Sequence, residues 1–216
     1  MEDIKPLPDL STEEQRVLGS LIEKSRTTPD YYPMTLNSLT AACNQKSSRN
    51  PVVNYDEEMV TLTLNALKIK GLISTATGGS SRVIKYKHNL GIVYPLVPSD
   101  LSILCLLLLR GPLTPGEINS NSGRLYEFES IEEILEQLQK LSESETPYVK
   151  LLPKRAGQKE ARFVHLLGEQ TDIQEREPQA AHTTISQPSE ELENRVAKLE
   201  QEIEELKELI NLLMDK

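Results

Sequence analysis

Tryptophan is absent from the 216 residues, and aromatic side chains make up only 4% of them. A large sheet built from aromatic and β-branched side chains is therefore poorly supplied. With 38% hydrophobic residues, small packed helical modules are the expectation. Cysteine is scarce. Cys43 and Cys105 stand alone, with no Cys or His spaced closely to either. This excludes a disulfide framework and the common zinc patterns, and it suits a reducing, cytoplasmic setting. Cys43 reads as a buried small hydrophobe. Long apolar runs are also missing. The longest, Leu101 to Leu109, lies between Asp100 and Arg110, too short to cross a bilayer, so no membrane partner is expected. Met1 to Leu10 is polar and acidic, unlike a secretory signal. No phosphate-binding glycine loop, dinucleotide fingerprint or metal spacing occurs. No cofactor is expected, and no enzyme.

What is present begins with uneven charge. The net charge is −9. From Ser189 onward there are nine acids and four bases, whereas residues 1–166 hold 20 acids and 19 bases. The acidity belongs to the tail. A neutral body can carry a local basic patch but exerts no global pull on nucleic acid.

Ser11 and Glu14 have capping-box spacing and open a helix with Val17, Leu18, Leu21 and Ile22 on one face. It should end by Thr28-Pro29. A second helix is expected from about Thr35 to Gln45. Asn54 is expected to cap a third, running to about Lys70, with Val60, Leu64 and Leu67 inward and Gly71 as its stop. Leu72 to Thr77 and Arg82 to His88 read as strands joined at Gly78-Gly79-Ser80-Ser81. Three helices and a hairpin make a winged helix. The order then repeats. Ser99 to Arg110 is an apolar helix, Thr114-Pro115 leads a second, and Ser130 with Glu133 opens a third. Tyr148 to Leu152 and Glu160 to Leu166 read as strands around a basic turn. Lys85-Tyr86-Lys87-His88 matches Arg162-Phe163-Val164-His165. The expected fold is mainly α with small β-hairpins, as tandem winged-helix modules over residues 1–90 and 91–167. A flexible linker over 168–188 and a coiled coil over 189–216 follow.

In that tail Leu192, Val196, Leu199, Ile203, Leu206, Ile210 and Leu213 alternate in steps of four and three. Val196, Ile203 and Ile210 take position a, and the leucines take d. β-Branched a with Leu d favours a parallel dimer. Arg195 would face Glu200 of the second strand, and Glu202 would face Lys207. The first partner expected is therefore a second copy of the chain.

The motifs carry a family likeness. Glu23-Lys24, Thr27-Thr28-Pro29, Tyr32-Pro33, Ala41-Ala42-Cys43-Asn44-Gln45-Lys46 and Arg49-Asn50-Pro51 resemble the YceH-like family of bacterial proteins. So do Arg82 to His88, Leu108 to Glu117 and Arg124 to Phe128. The likeness covers residues 10–168. It implies a tandem winged-helix fold in a cytoplasmic bacterial protein, and no activity. The wing Gly78 to Arg82 departs from the pattern by lacking a Phe between its glycines.

The expected function is that of a dimeric DNA-associated regulator that binds the phosphate backbone mainly through loop and wing basic residues, with a protein-interaction adaptor as the alternative. Winged helices usually place the third helix in a major groove and the wing along the backbone. Thr61, Asn65 and Lys68 are then the groove-facing candidates for duplex DNA. Lys46, Arg49, Arg82, Lys85, Lys87, Lys154, Arg155 and Lys159 are candidate phosphate contacts, with Arg162 nearby in sequence. Asn44 to Asn50 forms seven consecutive polar residues and reads as a contact loop. Against DNA stand Asp56, Glu57 and Glu58 at the leading end of the third helix, and Glu132, Glu133 and Glu136 in the second module. Those acids fit the alternative, a protein-interaction adaptor that meets another polypeptide through its acidic third helices and the coiled coil. His88 and His165, at matching strand ends, read as core-facing.

Overall fold

A computed structural model describes residues 6–77, 83–154 and 160–168. Helix α1 spans Thr12–Thr27. The Ser11 hydroxyl accepts from the Glu14 amide (3.3 Å), and the Ser11 amide donates to the Glu14 carboxylate (2.8 Å). Orphan amides at the helix start are thereby satisfied from both sides. A 3-10 turn, Pro29–Tyr31, follows. Then come strand β1 (Met34–Thr35) and helix α2 (Leu36–Cys43), which Thr35 caps.

Helix α3 spans Glu57–Ile69, and its cap is Asp56 rather than Asn54. Asp56 Oδ1 accepts from the Met59 amide at 2.8 Å. A carboxylate satisfies the free amides and complements the positive helix end. Gly71, at φ +75°, closes α3 in a conformation that few other residues adopt. Strands β2 (Ile73–Ala76) and β3 (Lys85–His88) pair antiparallel, with Ile73 opposite His88. Both are shorter than the sequence suggests. β1 pairs with the free edge of β3, Met34 opposite Tyr86, so the sheet order is β1-β3-β2. Two residues cannot display an alternating pattern, so β1 is invisible to periodicity.

The short helix α4 (Leu90–Val93) leads into α5 (Pro98–Arg110). Pro98 occupies the first turn, where its missing N–H costs nothing. Helices α6 (Pro115–Ser122) and α7 (Ile131–Glu143) follow, then strands β4 (Val149–Leu151) and β5 (Phe163–His165). β4 and β5 pair antiparallel, with Val149 opposite His165. Leu113 bridges Phe163 on β5, the same role that β1 plays for β3. The described chain is thus helix-rich, with two small antiparallel sheets and one helix–helix–helix–strand–strand order used twice.

The two repeats share one hydrophobic cluster. Its centre is the crossing of α1 and α5, where Ser102 to Leu109 are all buried. Gly19 makes the approach possible. A Cβ at that position would lie 2.9 Å from Leu109 Cγ and 3.3 Å from Leu108 Cβ. Cys105 Sγ reaches the Gly19 carbonyl at 3.4 Å. A second tie joins the chain ends of this unit. The Leu10 amide donates to the Leu167 carbonyl (3.2 Å), and a Cβ on Gly168 would fall 2.2 Å from Leu10 O. Arg82, Arg155, Lys159, the linker beyond Gly168 and the heptad residues Leu192 to Leu213 lie outside the described residues.

Candidate interaction site

The polar loop between α2 and α3 is the first surface to place. Its base is closed by Asn44, whose amide nitrogen donates to Tyr55 O and whose carbonyl accepts from Tyr55 N, both at 2.7 Å. Arg16, itself buried, donates to Cys43 O at 3.5 Å and also to Pro51 O. Asn50 then reaches the second repeat, where its amide donates to Leu109 O (2.8 Å) and its side chain to Arg110 O (3.3 Å). These bonds supply partners to carbonyls that the end of α5 leaves free. The loop is a clasp between repeats.

Arg49 turns inward from this loop. Expected as a phosphate contact, its side chain is 0% exposed. The guanidinium forms a bidentate pair with Glu23, Nη1 to Oε1 at 3.0 Å and Nη2 to Oε2 at 2.7 Å. It also donates to Ala42 O and Ser48 O. With every side committed, the planar fork has nothing left for a phosphate. Burial alone would raise the Glu23 carboxyl. The Arg49 bonds and charge, with Lys24, outweigh it and hold the group below the usual carboxylate range. Arg162 is engaged in the same manner with Glu117, at 2.7 and 2.9 Å, and donates to Pro112 O. Lys46 remains exposed on the loop.

The outward face of α3 is the second surface. Asn65 and Lys68 are exposed, as expected, while Thr61 is half-buried and donates to Glu57 O (2.7 Å). The unexpected members are apolar. Leu62 is 65% exposed and Ile69 is 88% exposed. Glu58, Leu62, Asn65 and Ile69 recur at helical spacing and share one stripe. In the second repeat Ile131 and Leu135 are likewise exposed on α7, next to Glu132 and Glu136. Sequence periodicity passes over these residues because it searches for the inward face first.

Near the start of α3 a groove is lined by Leu36, Val83, Ile84 and Tyr86, together with Glu57. Ile84 is 50% exposed because it precedes β3 and lacks a strand partner. Lys87 is exposed and Lys85 half-buried on β3, and Lys154 is exposed past β4. Lys46, Lys68, Lys85 and Lys87 enter no ion pair among the described residues.

Both strand-end histidines face inward. His165 is buried, and His88 Nε2 lies 3.3 Å from Ser25 Oγ. Burial pushes both imidazoles down to about 4, with Arg26 adding to the effect on His88. Among the described residues no cluster of three or more His, Cys, Asp or Glu is placed to hold a metal ion. None of the described helices is long and apolar enough to cross a membrane.

A family model described as "Protein of unknown function, DUF480" matches residues 10–158. The chain belongs to the DUF480 family. The match covers most of the stretch that carries the motif resemblance and bears it out as a bacterial family. Similar relatives carry the name "UPF0502 protein". One from Shewanella halifaxensis (strain HAW-EB4) is 45% identical over 214 residues, covering 96% of this chain and all of the relative. One from Opitutus terrae is 46% identical over 175 residues, covering 81% of this chain and 76% of the relative. One from Shewanella baltica (strain OS155) is 43% identical over 183 residues, covering 82% of each.

Proposed function

We propose that this DUF480 member is a cytoplasmic tandem winged-helix protein that works by binding rather than catalysis. Its third helices are docking faces for a partner polypeptide. The observation that carries this reading is the α3 stripe, where Leu62 and Ile69 stand exposed on a helix that opens with Asp56, Glu57 and Glu58. Carboxylates at the leading end repel a phosphate backbone, while exposed Leu and Ile are not desolvated by a groove of polar base edges. The complementary surface is a segment with apolar anchors and flanking Lys or Arg, which buries the anchors and neutralises the acids. The apolar groove beside Glu57 supports the same chemistry. α7 repeats it with Ile131 and Leu135 beside Glu132 and Glu136.

Pairing of the tail through Leu192, Val196, Leu199, Ile203, Leu206, Ile210 and Leu213 gives a parallel dimer, and so presents each face twice. Linking two faces raises avidity without any new contact.

The test is a photo-crosslinking residue placed at Leu62, and separately at Ile69, in the full chain inside bacterial cells. Polypeptide adducts that map to one basic, apolar segment support the reading. Adducts to nucleic acid alone refute it. A second reading, duplex DNA held along the backbone, rests on Lys46, Lys85 and Lys87, which enter no ion pair among the described residues. It requires binding that weakens steeply with salt. Fluorescence anisotropy at low and physiological salt measures this directly, and no binding at low salt ends it.

A further inference from the structure

Between the two repeats lies a cavity of about 190 Å³. Its walls come from the end of α1, the polar loop, the end of α5 and the residues after α6. Three cations line it, Lys24, Arg110 and Arg124, with a single carboxylate, Glu23. That carboxylate is shared: the buried Arg49 guanidinium grips both of its oxygens, and Lys24 Nζ lies 3.2 Å from Oε2 while donating to Gln45 Oε1 (3.3 Å), so one negative charge faces four cations. The cavity therefore carries uncompensated positive charge in a body whose acids and bases nearly balance.

The helix ends account for part of this. α1 and α5 finish here, and cations in a last turn offset a negative dipole end of about half a charge per helix. Three full cations exceed that. Two further observations point to a ligand. Arg110 donates to Ser48 Oγ through Nη2 (2.9 Å), but its Nε is buried without a hydrogen-bond partner. A buried donor is rarely left this way. Arg124 is exposed on the cavity wall and enters no hydrogen bond or ion pair among the described residues. Ser47, Gln45 and Asn121 add neutral polar groups.

We propose that this cavity binds a small phosphate-bearing anion. Arg124 and Lys24 supply the counter-charge, and Arg110 supplies a pre-oriented donor held by Ser48. Planar guanidinium groups match phosphate oxygens in pairs. A water occupies roughly 30 Å³ of liquid, so the space admits a phosphate with a small organic substituent but not a polymer strand. Because the walls belong to both repeats, the bound anion fastens the clasp formed by the polar loop. This site is separate from the α3 docking face, and either can fail without the other.

The experiment is calorimetric titration of the full chain, in chloride buffer, with inorganic phosphate, glycerol 3-phosphate and a short DNA duplex in turn. Saturable binding of the two small phosphates is expected. Arg124→Gln should weaken it by about tenfold, the effect of losing one charge-assisted contact, and Lys24→Gln should act in the same direction. Lys150→Gln, at an exposed position on β4 outside the cavity lining, should leave it unchanged. Circular dichroism on Arg124→Gln, whose side chain enters no hydrogen bond or ion pair among the described residues, separates loss of the site from loss of the fold. No saturable binding of either small phosphate overturns the proposal. So does binding that Arg124→Gln and Lys24→Gln leave unaltered, or binding of the duplex alone.

Discussion

Replacing Arg49 with Met is the sharpest test of whether the polar loop is a clasp or a contact surface. Met keeps the length of the stem and removes the guanidinium. The Glu23 carboxylate, whose side chain is 13% exposed, then loses both of its bonds to that group. The Ala42 carbonyl loses its donors from the same residue. Removing one partner of a buried ion pair costs about 3–5 kcal/mol, and Lys24, whose Nζ lies 3.2 Å from Glu23 Oε2, places the loss toward the lower figure. Each kcal/mol moves the midpoint of a domain this size by roughly 2–4 °C. A fall in Tm on the order of 10 °C is expected by far-UV circular dichroism. Glu23→Gln should destabilise for the mirror-image reason. The double variant Arg49→Met with Glu23→Leu should recover much of the loss, since an apolar pair can replace a buried ion pair. If Arg49→Met keeps the wild-type Tm and loses only partner or DNA binding, the clasp reasoning fails.

Gly19→Ala sets two effects against each other: helix propensity favours Ala by about 1 kcal/mol, while forcing a Cβ against Leu109 costs about 1–3 kcal/mol. Net destabilisation is expected in a urea titration, relieved when Leu109→Ala is added. For His88 and His165 the folded groups titrate near 4 against an ordinary 6.5, so the unfolded chain binds more protons between those values. Their contribution, up to about 3 kcal/mol for each, is present above pH 6.5 and lost as pH falls toward 4. Urea midpoints measured across that range should slope downward with acid, and less steeply in His88→Asn with His165→Asn. Ile203→Asp, at position a of the heptad, should convert a dimer into a monomer in sedimentation velocity; a monomeric parent chain removes the coiled-coil dimer altogether.

Wherever the physical cause is local, the sequence alone determined the outcome. Ser11 with Glu14 and Thr35 ahead of Leu36 announce helix starts, because capping acts over three residues. The inward stripes of α1 and α3 follow from 3.6-residue periodicity, and the repeated element order follows from those signals occurring twice. The motif between Ala41 and Pro51 was legible as a family mark but not as a role. Seven polar residues in a row signal a surface loop, and nothing local reveals that Arg49 turns inward to Glu23, 26 positions earlier in the chain. Tertiary structure decided that, because a buried guanidinium is tolerated only where a distant carboxylate and carbonyls converge on it. The same holds for Gly19, which local reading treats as a weak point in a helix and the fold uses as the crossing with α5. It holds also for the cavity of Lys24, Arg110 and Arg124. Their charges are visible in the chain, but only the packing of one repeat against the other brings them to a single wall.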